Sequence, residues 1–493
     1  MSMRACCWSL LLLLVAAPTT GAEPSPIEYW EVLTLQGNRI GYNHAVERVV
    51  TMDGTPRIVT ETFGKMQLKR AGQEMQIQFQ MHFEESTNGE LLRFQSVQSN
   101  PPDSKVETIG ERTGTELRVT VIAGGQRTEQ VVPQADQLKL PTYVDRLIKS
   151  QVIPVGETRE FQVYDPQASQ VATITLSSLT EQSTGVWGGK ERKLGRLEMV
   201  HSALPGITTT VFVDPKTREI VKTVSPLIGM ETYRVSKAEA IKEIEPFDQL
   251  TASLIPLRTK ENLVSARSAT YVVRVDGPLD KKLFPSGPTQ RVEHRPDGSL
   301  LVTVKRLQDD EAEKSATGAK PPGEEFLAAT RFLECNAPLI QELSLLGRGD
   351  ATTPRAQAVA LEKFVRQRIQ NRNLSTAMAT ALEVAQSRAG DCTEHAVLLA
   401  ALLRAAKIPA RVAVGLVHAP SEQAFIGHMW SEAWIDGMWV PLDGTRARGG
   451  TTCEYIKLTD SALSGEGAIP GTEFLSLVSV QGRLTITLEA VTR

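Results

Sequence analysis

The sequence predicts an α+β chain in which antiparallel β-rich domains precede a module that mixes helices and strands. Three observations carry this expectation. Apolar and polar residues alternate through much of the first half, most clearly from Met75 to Phe83. A polar, charged stretch with Gly318 and Pro321-Pro322 then interrupts the pattern at 308–323. Beyond it, apolar residues recur at helical spacing before strand-like runs return.

With 493 residues, the chain is long enough for about three domains at roughly 150 residues each. Hydrophobic residues make up 41%, which supplies packed cores and excludes a wholly disordered protein. Lys and Arg number 54 against 57 Asp and Glu, a net charge of −3. No broad basic field exists, so nucleic acid is excluded as the main partner.

The N-terminus reads as a secretory signal over residues 1–22. Arg4 supplies the positive start, Ala5 to Ala17 is almost unbroken apolar sequence, and Pro18 with Thr20-Gly21-Ala22 provides the break and cleavage site. The apolar run is shorter than the ~20 residues a transmembrane helix needs. The expected mature chain is therefore exported, periplasmic or extracellular, without an integral membrane span. Cys6 and Cys7 leave with the signal, so three of the five cysteines remain: Cys335, Cys392 and Cys453. Three is too few for a disulfide-built scaffold. Either Cys335 and Cys453 pair, or both are buried and inert.

Residues 23–248 form the first β-rich domain. Besides Met75–Phe83, short strands are expected at Leu117–Val121, Val171–Leu176 and Thr209–Val213, punctuated by Asp53-Gly54, Asn88-Gly89 and Asp214-Pro215. A large twisted sheet or half-barrel is the expected form, with a short helix near Pro141–Ser150. His44, His82 and His201 lack metal-ligand spacing and read as structural or surface residues. Residues 249–307 form a small β domain with strands at Tyr271–Val275 and Leu300–Val304 and a hairpin turn at Asp297-Gly298. Residues 308–323 read as a linker, and its Asp309-Asp310-Glu311 as a solvated run rather than a metal site.

The last unit, 324–493, carries the chemistry. Thr353-Pro354 opens a helix whose buried face is Ala358, Leu361, Phe364, Val365 and Ile369. A second helix is expected from Thr376 to Ser387. Gly390-Asp391-Cys392-Thr393-Glu394-His395-Ala396 then opens a strongly apolar helix running to Ala406, with Cys392 in its first turn. That position, at the positive end of the helix dipole, is where a nucleophilic thiolate is favoured. Taken alone, a small buried core cysteine explains the same residue. His395, three residues on, would be the partner in a metal or redox site; on a helix, local packing or hydrogen bonding explains it more simply. His418 reads as a loop residue beyond the strand Val412–Val417.

The hairpin that follows ties a histidine to an aspartate. His428-Met429-Trp430-Ser431-Glu432-Ala433-Trp434-Ile435 and Met438-Trp439-Val440-Pro441-Leu442-Asp443 flank Asp436-Gly437, a strong two-residue turn signal. Pairing Ile435 with Met438 sets Trp430 opposite Asp443. His428 and Asp443 then point to the same face as diagonal neighbours, about 7–8 Å apart at Cα and within reach of a carboxylate–imidazole bond. Cys392 completes a nucleophile–base–orienter set. Trp430, Trp434 and Trp439 are candidate liners of a substrate groove, although Trp434 and Trp439 fall opposite each other, a pairing that packing explains equally well.

These residues resemble the transglutaminase-like superfamily, a papain-like group that includes transglutaminases and many bacterial secreted homologues. The resemblance covers about 325 to 450 and is densest over 389–443. It rests on Gly390-Asp391-Cys392 with Glu394 and Ala396, on Leu403-Arg404-Ala405-Ala406 with Ile408-Pro409-Ala410-Arg411, on His428 through Trp434, and on Trp439 through Asp443. It implies a papain-like α+β domain in which Cys392 is the nucleophile, His428 the general base and acid, and Asp443 the orienter, acting on a protein or peptide amide without metal or cofactor. No tryptophan stands just before the Cys392 helix, where cross-linking transglutaminases use one, and no Asp/Asn-rich calcium loop is visible. Hydrolysis, as a peptidase or amidase, is therefore expected over cross-linking. The alternative is a non-catalytic binding or scaffold protein that keeps the papain-like module.

Overall fold

The structure, a computed structural model, describes residues 25–493 apart from 71, 101–103, 124–125, 205, 247, 249–252, 278, 308–319, 372–378 and 465–474. The expected signal segment and most of the expected linker, including Asp309-Asp310-Glu311, lie outside the described residues.

The first β-rich unit is a single sheet of fourteen strands. It runs out from Ile27–Leu35 in two directions, to edge strands Gln126–Val132 and Thr158–Asp165, and every pairing in it is antiparallel. Asp53-Gly54 makes the turn expected of it: both residues have positive φ, 50° and 74°, which a tight hairpin matching the strand twist requires. The two edges curl round until they meet. Gln130 Nε2, on one edge strand, donates to Tyr164 Oη on the other at 2.9 Å. The segment between the edges fills the remaining gap, with Lys139 N–H donating to Gln162 O at 2.9 Å and Tyr164 N–H to Lys139 O at 3.0 Å. Gly110 is required at this closure, because a Cβ there would lie 2.0 Å from the Phe94 ring, which stacks 5.2 Å from Tyr164. The result is a barrel-like shell, more closed than a half-barrel.

The helix Tyr143–Ser150 packs inside this shell. Val144, Leu147 and Ile148 bury against Val163, Ile174 and Leu176. Its polar face binds the sheet: Tyr29 donates to Asp145 Oδ2 at 3.1 Å, and Arg146 reaches both Glu47 and Glu85.

The rest of the chain is three layers deep. In the middle lies a sheet of Ile255–Pro256, Ala424–Ile435, Ala410–Ala419 and Tyr455–Ser461, with Met438–Leu442 paired to Ala424–Ile435. Helices Pro338–Arg348, Pro354–Arg368, Ala381–Ser387 and Cys392–Ala405 cover one face. A four-stranded sheet covers the other. Gln290–His294, Leu300–Lys305 and Ser268–Val275 supply three of its strands, and Leu484–Thr492 supplies the fourth. Tyr271, Val273, Val302 and Ile486 share one core with Leu416, Phe425, Ile456 and Leu458 of the middle sheet.

Several local expectations shift by a few residues. The helix expected to begin at Thr376 begins at Ala381, since Thr380 caps it with a reciprocal bond to Glu383; 376–378 lie outside the described residues. Cys335 sits in a turn before Pro338. Cys335 and Cys453 are not bridged and both are buried, in different cores. Burial raises both thiols, Cys453 to about 11. His418 is a buried strand residue, not a loop residue, and its Nε2 lies 3.1 Å from Leu257 O.

The helix Cys392–Ala405 is buried on almost every side, with Val397 to Leu403 at 0% exposure. Leu399→Ala therefore leaves a cavity within a fully buried stretch of helix. We expect a loss of about 2–5 kcal/mol, read as a lower denaturant midpoint for the transition that this core reports.

Candidate active site

Two buried acids set the start of that helix. The Asp391 side chain accepts the Thr393 N–H at 2.8 Å, and Glu394 Oε2 reaches back to accept the Asp391 N–H at 2.8 Å. This reciprocal capping satisfies donors that a helix start leaves over. Glu394 also accepts the Ala379 N–H at 3.1 Å, tying the preceding segment to the cap. Burial, with the neighbouring Asp391 charge, raises the Glu394 carboxyl. Gly390 is needed because a Cβ would lie 2.2 Å from Glu394 Cβ. Cys392 is thereby the first helical residue, and it is partly accessible.

The hairpin has the register read from the sequence, Ile435 opposite Met438 and Ser431 opposite Leu442. Regular pairing stops there, and Asp443 stands one residue beyond its strand. Its carboxylate still meets His428, with Nε2 and Oδ2 2.8 Å apart. The Cys392 side chain interacts with the same imidazole. Since Nε2 is engaged by Asp443, Nδ1 is the ring nitrogen left to the thiol. The structure thus brings Cys392, His428 and Asp443 together, with Asp443 and His428 almost fully buried.

Electrostatics hold the pair charged. Burial by itself lowers His428, but the Asp443 charge and the hydrogen bonds to Asp443 and Cys392 outweigh it, and His428 is raised to about 10. Burial by itself raises Asp443, but the His428 charge and its hydrogen bonds outweigh that and hold it well below the carboxylate range. Asp443 is saturated. Oδ2 also accepts the Tyr455 hydroxyl at 2.6 Å, while Oδ1 accepts the Thr445 N–H at 2.9 Å and hydroxyl at 2.7 Å. Its backbone N–H donates to Glu362 Oε1 at 2.5 Å, and the Gly450 N–H donates to the same oxygen at 2.6 Å.

Tyr455, Thr445 and Glu362 were not foreseen. Glu362 had a readable signal: it is a carboxylate beside Leu361 and one turn from Ala358 and Val365, on a face otherwise apolar. Tyr455 had none. His395 bonds locally, its Nδ1 2.6 Å from Asp391 O, and burial lowers its pKa. Among the described residues, no group of three or more His, Cys, Asp or Glu is arranged to hold a metal ion. Trp434 and Trp439 pack edge to face at 5.4 Å, whereas Trp430 lies beside His428 and Tyr455, at 6.3 and 5.5 Å between ring centres.

Residues 344–444 match the family model described as Transglutaminase-like superfamily. This segment is a transglutaminase-like domain. Among curated proteins, none matches the chain. Three solved structures are similar in part. One is described as a "putative cysteine protease" from Cytophaga hutchinsonii: 18% identity over 47% of this chain and 84% of the other, TM-score 0.28. A β-barrel-like protein of a domain of unknown function from Brucella abortus is 10% identical over 42% of this chain and 94% of its own, TM-score 0.29. A "putative protease" from Parabacteroides distasonis is 12% identical over 72% of this chain and 68% of its own, TM-score 0.18.

The ion pair makes a pH prediction. His428 lies above its usual 6.5, so its contribution to stability is full below that value and is lost as pH rises through about 10. Asp443 lies below its usual 3.8, so its contribution is full above that value and is lost as acid carries the pH through its lower folded value. Breaking a buried pair costs about 3–5 kcal/mol. The melting-temperature gap between the native chain and Asp443→Asn should be widest between 3.8 and 6.5 and narrow on both sides. Thermal unfolding followed by circular dichroism across pH measures it, and a pH-independent gap would contradict the pairing.

Proposed function

We propose that the chain is an exported cysteine acyl-transfer enzyme acting on protein or peptide amides, and that it hydrolyses them rather than cross-linking them. The observation that carries this reading is the set Cys392–His428–Asp443, with a partly accessible cysteine at a helix start and a buried imidazole–carboxylate pair behind it.

His428, held as the imidazolium, carries the proton that Cys392 gives up before its sulfur attacks the amide carbonyl carbon. Asp443 stabilises the imidazolium and, through the Nε2 contact, holds the ring with Nδ1 toward sulfur. The Cys392 N–H, at the positive end of its helix, faces the developing oxyanion. His428 then passes the proton to the leaving amine, leaving a thioester. Water, deprotonated by the same imidazole, attacks the thioester carbon and releases the carboxylic acid and the thiol. The lack of a tryptophan ahead of the Cys392 helix and of a calcium loop supports water over an amine as acceptor.

Export rests on the apolar leader 1–22. Among the described residues, no helix is long and apolar enough to cross a membrane.

Two measurements test the reading. A thiol-directed peptide electrophile should label Cys392 far faster than Cys335 or Cys453, which are 6% and 0% exposed. Equal labelling of the three would favour a binding module. On an amide substrate found by peptide-library cleavage, Cys392→Ala should abolish turnover and His428→Ala should be nearly as severe. Asp443→Asn should leave a residual rate, since a positioned acid–base system contributes about 10²–10⁴-fold. Full activity in folded Cys392→Ala would remove the mechanism.

A further inference from the structure

The barrel-like shell holds a cavity of about 630 Å³ that the acyl-transfer reading does not use. This is the size of a small-molecule site, roughly 300–1,000 Å³. Its wall is largely apolar and methionine-rich: Met66, Ile77, Phe79, Met81, Met199 and Met230 all face it. Methionine is the side chain that adapts to an irregular hydrocarbon outline. Gly64 keeps part of the wall thin, since a Cβ there would lie 2.5 Å from the Phe79 ring.

The charged part of the lining is acidic. Glu31, Asp145 and Asp165 belong to it, and no lysine or arginine does among the described residues; His44 and His201 are the only other titratable groups apart from Tyr29. Two of the three carboxylates are well held. Asp165 Oδ1 accepts the N–H groups of Gln167 and Ala168 at 2.9 and 3.1 Å, and its Oδ2 lies 3.4 Å from His201 Nε2. Asp145 accepts the Tyr29 hydroxyl at 3.1 Å. Glu31 is held loosely, by Asn43 Nδ2 at 3.5 Å and Arg234 at 3.6 Å, although its side chain is only 15% exposed. Behind the wall, the Arg234 guanidinium lies 3.7 Å from the Tyr29 ring centre and interacts with both Glu31 and Asp145. Arg146 is committed to Glu47 and Glu85. Arg234 thus acts on both carboxylates, Arg146 and Lys149 add to Asp145 alone, and Glu31 is the less well bonded of the two. A carboxylate in that setting gains most from a cation that supplies close N–H donors.

We propose that this cavity binds a single-chain amphiphile with an ammonium head. The hydrocarbon chain lies among the methionines and Phe79, and the ammonium sits beside Glu31. An anionic head at the same place would meet like charge.

The test uses the full chain and three probes of equal chain length below their aggregation concentrations: dodecylammonium, dodecanol and dodecanoate. Titration calorimetry should give dodecylammonium the highest affinity and dodecanoate the lowest. Glu31→Gln keeps the shape and removes the charge, so it should weaken dodecylammonium about tenfold or more, as expected for loss of a charge-assisted bond, while leaving dodecanol unchanged. Ala45→Phe fills the lining and should weaken all three; circular dichroism and labelling at Cys392 report whether it folds. The proposal is overturned if no probe binds, if dodecanoate matches dodecylammonium, or if folded Glu31→Gln keeps the ammonium preference.

Discussion

Everything at the candidate site depends on burying one helix completely. Cys392–Ala405 runs through the middle of its layer, and a helix enclosed in this way cannot hand its end groups to water. Its N-terminus must be satisfied by protein, and Asp391 and Glu394 do this from inside the core. The reciprocal cap sets the first helical residue, and that residue is Cys392. At the other end Arg404, 1% exposed, spends its guanidinium on the carbonyls of Ala328, Ala410 and Ala462. Burial of its charge lowers Arg404 to about 10. The helix is pinned at both ends by buried charge, so the sulfur does not slide along the helix axis relative to the hairpin.

The hairpin is fixed by the same means from the opposite side. Ser431 donates to Ala396 O at 2.8 Å, joining the histidine strand to the cysteine helix one turn past Cys392. Glu362 reaches out of a third element to hold the Asp443 backbone. Asp443 accepts four hydrogen bonds, so its two oxygens have no freedom to rotate away from His428. A charged pair buried this deeply is costly unless its geometry is complete, and here the neighbours complete it. Further out, Glu432 bonds Arg411 and Lys457, and Asp460 pairs with both cations, an ionic lattice across three strands of the sheet that carries His428.

The barrel-like shell solves a different problem. Fourteen antiparallel strands left flat would expose two long edges. Curling brings the edges within side-chain reach, and Gln130, Tyr164 and the segment around Lys139 occupy the seam. Curling also turns the apolar faces of the strands inward around more space than the helix Tyr143–Ser150 fills. The interior is therefore a lined cavity, unlike the packed core of the C-terminal layers.

The parts of this molecule readable from residue order are those governed by near neighbours. Alternation marks the strands, Asp53-Gly54 and Asp436-Gly437 mark their turns, and Gly390-Asp391-Cys392 with Glu394 marks a helix start, because each depends on backbone sterics and hydrogen bonds within a few residues. The His428–Asp443 contact was readable for the same reason: a two-residue turn fixes register, and register fixes which side chains share a face. Closure of the fourteen-stranded sheet, the fourth strand Leu484–Thr492 beside Ser268–Val275, and the bonds from Glu362 and Tyr455 to Asp443 were not. Each joins segments whose local patterns are complete without the other. Only the competition among all surfaces for burial, and the need to pair every buried polar group, decides which of them meet.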